Sequence, residues 1–331
     1  MERFALAAAV VLGFALTAAL CSLFVPLRRV LERREQNQQP VQSEQPRPAP
    51  LRAPLWGGLC AAAGTVAAVG VGWLVACVGQ PELLGSEGRL MTRLLTALAG
   101  SLAFGAVGLA EDLARMRSPA ALGLRRDVRL LLEALAAAFV LLLLQAAGCL
   151  PRGLGVPGAG YVLLGSAVPF LWAVLMVALA ECARIAERDE GTVCGAAFVA
   201  MLALMMAEAG LGVPGLAVLP AALAGALVAL LLWAFPPARL GVGCCGSLLA
   251  AGAIGCIPLS LDMTSLTVPL ALPFWAAGGL LAAQLLGAKR TGKPLRCWVK
   301  KHKMSPETVF LCSFALSAVG YVLALALLRW C

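Results

Sequence analysis

Apolar runs long enough to cross a bilayer recur along the whole chain, and they constrain its fold more than any other feature. A helix needs about 20 apolar residues to span the hydrocarbon core. Ten runs are found, at about 4–24, 55–77, 92–110, 129–148, 162–183, 192–209, 214–233, 242–261, 266–287 and 308–329. With 61% hydrophobic and 13% charged residues, a soluble globular domain is excluded. The sequence predicts one all-α polytopic membrane domain over residues 1–331, with about ten transmembrane helices.

Basic residues predict which side of the membrane each loop occupies. Most of the 26 Lys and Arg residues fall in alternate loops, and cytoplasmic loops are enriched in Lys and Arg. Two of these loops stand out: a polar, Pro- and Gln-rich loop at 32–54, expected to be mobile, and a basic loop at 288–306. Both termini are then expected outside. The net charge of +9 reflects topology and an attraction for anionic substrates rather than a nucleic-acid partner.

An acidic pair stands where the third apolar run meets a basic loop. Glu111 and Asp112 follow that run, and Arg115 comes four and three residues later, on the same surface of a helix. Carboxylates are costly near the hydrocarbon core, so such a pair usually binds a cation or a proton. The pattern predicts a metal-binding pocket beside a phosphate-binding cation. The alternative is an ion pair that neutralises itself at the membrane boundary.

Three further polar segments are predicted on the same cytoplasmic face. They are Glu187 to Glu190 after the fifth run, the glycine-rich turn Gly243-Cys244-Cys245-Gly246-Ser247, and the basic loop with Lys300, Lys301, His302 and Lys303. Carboxylates, a turn with accessible N–H groups, and Lys or Arg side chains together suit a diphosphate bound through Mg²⁺. The alternative for each segment alone is a set of solvated charges.

The twelve cysteines are scattered and indicate no disulfide framework. Most fall in apolar runs, where Cys behaves as a small hydrophobic residue. A soft-metal site formed by Cys194, Cys244, Cys245 and His302 is an alternative that the irregular spacing disfavours.

The order of these segments resembles the polyprenyl-phosphate N-acetylhexosamine-1-phosphate transferases, which form glycosyltransferase family 4. The closest resemblance is to the phospho-N-acetylmuramoyl-pentapeptide transferase branch. Gly108-Leu-Ala-Glu-Asp-Leu-Ala-Arg115 resembles the family's GFxDDxxK motif, and Gly123, Leu124, Arg129 and Glu133 repeat the spacing of the GLxxxxKxxxQ that follows. Residues 186–191 resemble the TDGxDG stretch, which sets Glu187 and Glu190 on its two aspartates, with Glu181 as a rival.

Other segments extend the resemblance over nearly the whole chain. Residues 52–59 resemble the GTPTMGG segment, 235–248 resemble NFPPAxxFMGDxGSL, and 290–293 and 304–309 flank the family's histidine-rich loop. The sequence departs from the family pattern at positions to which the resemblance gives a chemical role. Cys244 stands where the family has a magnesium-binding aspartate, Ala234 replaces the preceding asparagine, and the histidine cluster is reduced to His302.

The resemblance implies ten helices, external termini and a magnesium-dependent cytoplasmic site in a bacterial cytoplasmic membrane. A polyprenyl phosphate would attack the β-phosphate of a UDP-linked amino sugar and release UMP, as in peptidoglycan or other cell-envelope glycan synthesis. The implied roles are acid groups near the attacking phosphate or the metal, namely Glu111, Asp112, Glu187 and Glu190, with Asp112 and Glu190 as metal ligands. The implied phosphate-binding residues are Arg115, Arg129, Lys300, Lys301 and His302. A homodimer is among the expected assemblies.

Two other functions remain open from the sequence. A catalytically degenerate paralogue would keep the fold and bind lipid phosphate as a membrane scaffold, which Cys244 and the missing histidines favour. A small-solute transporter is supported only by the number of spans and by helices that Pro and Gly interrupt.

Overall fold

Helices account for nearly all of the described chain. The computed structural model describes residues 2–38, 56–79, 88–117, 123–151, 153–156, 160–163, 165–187, 191–213, 215–236, 238–286 and 305–330. The α-helices are α1 (Glu2–Gln38), α2 (Gly57–Gly79), α3 (Gly88–Arg117), α4 (Arg126–Ala146), α5 (Ala167–Ala186), α6 (Thr192–Gly210), α7 (Val218–Ala234), α8 (Gly243–Ser260), α9 (Thr267–Leu270), α10 (Leu272–Leu286) and α11 (Pro306–Trp330). A 3-10 helix covers Thr264–Leu266.

Seven helices in the described part of the chain are long and apolar enough to cross a bilayer. They are Phe4–Phe24 in α1, Gly57–Val78 in α2, Leu90–Arg117 in α3, and α5, α6, α8 and Pro306–Leu328 in α11. The protein is therefore a helical, multi-pass membrane protein, as predicted. The other predicted runs coincide with α4, with α7, and with α9 and α10 together. The number of ten crossings and the external placement of the termini stay predictions.

The structure corrects the predicted elements in three places. Residues 160–163, partly assigned to the fifth run, form strand β2 (Gly160–Leu163), which pairs antiparallel with β1 (Gly153–Val156). The helix starts only at Ala167, after Gly165 with a φ of +58°. The ninth run is divided between α9 and α10, and Pro273 lies in the first turn of α10, where a missing N–H is tolerated. Helix α1 continues to Gln38, into the predicted 32–54 loop.

Helix α8 lies at the centre of the bundle, and every one of its residues is buried. Glycines bring its neighbours unusually close. A Cβ on Gly108 of α3 would lie 2.2 Å from the Cys244 carbonyl oxygen, and one on Gly58 of α2 would lie 2.1 Å from the Gly246 nitrogen. Small residues of this kind let membrane helices approach backbone to backbone. The acidic end of α3 is thereby held against the first turn of α8.

Candidate active site at the ends of four helices

Asp112 of α3 binds the N-terminus of α8. Its Oδ1 accepts a hydrogen bond from the Cys244 N–H at 3.1 Å, and its Oδ2 accepts one from the Cys245 N–H at 2.9 Å. The first N–H groups of a helix have no partner within that helix, and a carboxylate there also meets the positive end of the helix dipole. Val242, the residue before α8, offers no side-chain cap. Asp112 is buried and supplies that cap from another helix.

The predicted glycine-rich turn is wrong in its secondary structure. Gly243, Cys244, Gly246 and Ser247 form the first turn of α8 and are buried. Asp112 satisfies two of the N–H groups at the start of this helix. Gly243 has a φ of +73°, a conformation that glycine adopts without strain as the chain enters the helix. Their predicted role in binding stays a prediction.

Arg115 joins Glu111, Asp112 and Glu187. Its Nη2 donates to Glu111 Oε1 at 2.7 Å, and its Nη1 lies 3.8 Å from Asp112 Oδ1 and 3.9 Å from Glu187 Oε2. A Cβ on Gly123, which has a φ of +70°, would lie 3.1 Å from the Arg115 Cγ, so this glycine packs against the arginine. The self-neutralising ion pair considered from the sequence is present. Its guanidinium also reaches an acid on a second helix.

A second charged group links α4 to α5. Arg129 Nε donates to Glu181 Oε1 at 2.7 Å, and Glu181 Oε2 accepts a hydrogen bond from Arg184. Arg129 Nη1 lies 3.7 Å from Glu111 Oε1, which connects this group to Arg115. From the sequence, Glu181 is only a rival of Glu187, and Arg184 has no predicted role in the site. The spacing of three residues between Glu181 and Arg184 on one helix could have indicated their ion pair.

The structure places the remaining predicted residues unequally. Glu187 caps the C-terminus of α5, and its Oε2 lies 4.0 Å from the Cys244 Sγ. Asp112, Arg115, Glu187 and Cys244 are therefore neighbours, although they come from three segments. The predicted residues Glu190, Lys300, Lys301 and His302 lie outside the described residues.

The described part of the cluster contains more acids than bases. Its members are the carboxylates of Glu111, Asp112, Glu133, Glu181 and Glu187 and the guanidinium groups of Arg115, Arg129 and Arg184. Glu111 Oε2 and both oxygens of Glu133 are buried without a hydrogen-bond partner among the described residues. Burying a carboxylate without such partners costs free energy. The carboxylates of Glu111 and Glu133 are therefore incompletely hydrogen-bonded among the described residues.

The described residues do not fit a preformed magnesium site. Both Asp112 oxygens already accept backbone N–H groups, and a thiol stands at Cys244, although Mg²⁺ prefers oxygen ligands. Among the residues that the structure describes, no group of three or more His, Cys, Asp or Glu side chains could hold a metal ion. Glu190, the second predicted ligand, is not one of them.

Together, the bundle and its charged cluster define a multi-pass membrane protein whose polar site is assembled from the ends of α3, α4, α5 and α8. The chain belongs to glycosyl transferase family 4, whose family model matches residues 94–262, just over half of the chain. That range contains every described member of the cluster. The predicted family resemblance is confirmed.

Curated relatives carry the name phospho-N-acetylmuramoyl-pentapeptide-transferase. The Synechococcus sp. (strain RCC307) protein is 30% identical over 212 residues, covering 63% of this chain and 55% of the relative. The Geobacillus kaustophilus (strain HTA426) protein is 25% identical over 296 residues, covering 88% of this chain and 86% of the relative. The Mycobacterium tuberculosis (strain ATCC 25618 / H37Rv) protein is 27% identical over 265 residues, covering 72% of each.

Proposed function

We propose that this protein transfers a phospho-N-acetylhexosamine from a UDP-linked sugar to a polyprenyl phosphate and releases UMP. The proposal follows the family and the names of the relatives. The observation that carries it is the convergence of three distant segments around the first turn of α8: Asp112 and Arg115 of α3, Glu187 at the end of α5, and Cys244 of α8 itself. We place the reaction at the cytoplasmic face of the bacterial inner membrane, in peptidoglycan or related glycan synthesis.

The chemistry assigned to this site is mainly positioning and charge neutralisation, as in phosphoryl transfer generally. Arg115 is the best-placed described cation, because its side chain remains 19% exposed while it lies within 4 Å of three carboxylates. A substrate phosphate would compete with those carboxylates for its N–H groups. Glu111 and Asp112 stay the proposed neighbours of the attacking phosphate. Lys300, Lys301 and His302 stay proposed phosphate ligands.

Magnesium dependence stays part of the proposal, with no step assigned to the ion. When bound with a diphosphate, Mg²⁺ would neutralise phosphate charge. Asp112 and Glu190, the ligands that the resemblance implies, would hold the ion only together with the substrate's diphosphate, because the described residues alone do not fit a magnesium site. The measurement is UMP release in EDTA and then with added Mg²⁺. Full activity in EDTA would remove the metal from the proposal and leave neutralisation to the arginines.

The test of the transfer reaction uses the purified full chain in detergent. UMP release is followed with undecaprenyl phosphate and either UDP-N-acetylglucosamine or UDP-N-acetylmuramoyl-pentapeptide as substrates. We expect turnover by the wild type and none by Asp112→Asn. The matched control is Asp127→Asn, since Asp127 is an exposed acid in the first turn of α4. Absence of wild-type turnover with both nucleotides would contradict the proposal.

A second candidate is a catalytically inactive paralogue that binds lipid phosphate as a scaffold. The buried Cys244 thiol favours it, because the resemblance sets a metal-binding aspartate at that position. The internal pairing of Arg115, Arg129 and Arg184 with acids favours it too. Binding of undecaprenyl phosphate without turnover would select this candidate. No described contact favours the transporter.

A further inference from the structure

Glu181 accepts hydrogen bonds from two arginines of the site, one on each carboxylate oxygen. Its Oε1 accepts the Arg129 Nε–H from α4, and its Oε2 accepts an Arg184 N–H from its own helix α5. The side chains of Glu181 and Arg184 are 23% and 12% exposed, whereas Arg129 is buried. A carboxylate with one arginine on each oxygen fixes the separation and orientation of the two guanidinium groups.

The hydrogen bond from Arg129 to Glu181 does not use the terminal nitrogens of the guanidinium group. Glu181 engages Nε, whereas four of the five N–H donors of an arginine are on the two terminal nitrogens. One of these, Nη1, lies 3.7 Å from Glu111 Oε1, which is ion-pair distance without a hydrogen bond. Arg184 donates to the other oxygen of the same Glu181 carboxylate. The two guanidinium groups therefore lie beside one another on a single carboxylate.

We propose that Glu181 is a positioning residue that orients Arg129 and Arg184 as a paired site for the diphosphate of a UDP-linked sugar. This inference rests on the proposed function and extends it, because neither Glu181 nor Arg184 was assigned a role there. A free arginine loses about 1.5–2 kcal/mol of side-chain conformational entropy when it is fixed. Glu181 holds both arginines before the ligand arrives, which is the general advantage of a preorganised site.

The alternative is that Glu181 only neutralises positive charge. It predicts that replacing Glu181 changes the affinity for an anionic ligand in the opposite direction. Replacing Glu181 by Gln raises the charge of the cluster by one, so without a positioning role an anionic ligand would bind more tightly. With a positioning role it binds more weakly. Because each Glu181 oxygen accepts from a different arginine, the Gln amide keeps only one of the two acceptor oxygens, and its NH₂ group would face an N–H of the other arginine. The direction of the change in affinity thus separates the two explanations.

Glu133 provides the matched control for the charge change. Its Oε1 lies 4.0 Å from the same Arg129 Nε, but it makes no hydrogen bond to it. Glu133→Gln and Glu181→Gln are the same substitution beside the same Arg129 Nε, and only Glu181→Gln removes hydrogen bonds to the arginines. An effect of replacing any nearby Glu by Gln would be seen in both variants.

The experiment measures the dissociation constants of UDP-N-acetylglucosamine and of UMP for the full chain in detergent, by calorimetry. We expect Glu181→Gln to weaken UDP-N-acetylglucosamine binding about tenfold, the loss expected for one charge-assisted hydrogen bond. UMP, which lacks the diphosphate, should lose less. Glu133→Gln should bind as tightly as the wild type or more tightly. Glu181→Asp keeps the charge but shortens the reach, so it should also weaken binding, and it decides the matter if Glu181→Gln does not fold.

Other outcomes would overturn either this inference alone or the proposed function with it. Unchanged or tighter binding by Glu181→Gln, or equal weakening in Glu181→Gln and Glu133→Gln, overturns the positioning role and leaves the proposed function standing. If the wild type binds neither nucleotide, both the proposed function and this inference fail. Thermal unfolding of each variant without ligand is recorded in parallel, because a merely structural role would lower the unfolding temperature without a selective loss of the diphosphate ligand.

Discussion

The α3–α8 contact and the α4 side of the charged cluster each bury a carboxylate, but they satisfy it differently. Asp112 is 1% exposed and accepts two backbone N–H groups from the first turn of α8. Glu133 is 0% exposed, and neither of its oxygens has a hydrogen-bond partner among the described residues. Equal burial therefore has opposite consequences. We therefore expect Asp112 to stabilise the contact between α3 and α8, and Glu133 to lower stability.

Removing the carboxylate of Asp112 should have the largest effect. In Asp112→Ala, the N–H groups of Cys244 and Cys245 lose their acceptor inside the protein, at a cost of about 1–3 kcal/mol each. We expect the free energy of unfolding to fall by about 3 kcal/mol, measured by chemical denaturation in detergent. Glu307→Ala, at an exposed acid in the first turn of α11, should change it by less than about 1 kcal/mol. Equal effects of the two substitutions would show that Asp112 does not cap α8.

Cys244→Asp adds an acid at the contact between α3 and α8, where Asp112 is fully hydrogen-bonded. The new carboxylate would lie near Glu187, whose Oε2 is 4.0 Å from the Cys244 Sγ. Its place in the first turn of α8 offsets part of the repulsion. We expect the variant to lose about 2 kcal/mol of stability in EDTA and to recover much of it in Mg²⁺. The wild type and Cys244→Asn should show no such recovery. Stabilisation of the wild type by Mg²⁺ would mean that a metal site already exists.

Gly108→Ala tests the close approach that brings Asp112 to α8. The added methyl group would lie 2.2 Å from the Cys244 carbonyl oxygen, which is backbone and cannot move aside alone. Overpacking of this kind costs about 1–3 kcal/mol, and we expect about 1.5 kcal/mol, with reduced UMP release if the reaction is present. Gly70→Ala in α2 meets nothing within 4 Å and should be neutral or slightly stabilising. Similar losses from both substitutions would exclude this explanation.

The sequence predicted those parts of the molecule that depend on local spacing. Apolar runs located the helices, and the four-residue spacing of Glu111 and Arg115 predicted their ion pair. The Asp112–Cys245 hydrogen bond joins residues 133 positions apart, and the Arg129–Glu181 bond joins residues 52 apart. Such contacts depend on helix packing, which no local pattern encodes. The family motifs could indicate that these segments form one site, but not which oxygen accepts which N–H.

The start of α8 shows the same limit in local structure. The segment Gly243 to Ser247 is rich in glycine, which from sequence alone predicts a turn. The apolar run at 242–261 predicted the start of the helix to within one residue, but not that a carboxylate on a different helix caps it. The hairpin of β1 and β2 was missed for a related reason. Its β2 residues, Gly160 to Leu163, are mostly apolar, and short apolar segments do not distinguish strand from helix.

Glu133→Gln should change the free energy of unfolding least among these substitutions, and it should raise that free energy, whereas the others lower it. The amide has nearly the shape of the carboxyl group but carries no charge, so it removes the cost of a buried carboxylate without hydrogen bonds. The loss of the 4.0 Å ion pair with Arg129 Nε offsets part of that gain. We expect the free energy of unfolding to rise by up to about 1 kcal/mol, with Asp127→Asn in the same helix as the exposed control. A loss of more than about 1 kcal/mol would mean that the Glu133 carboxylate has a partner in the part of the chain outside the described residues. The contrast with Asp112 would then disappear.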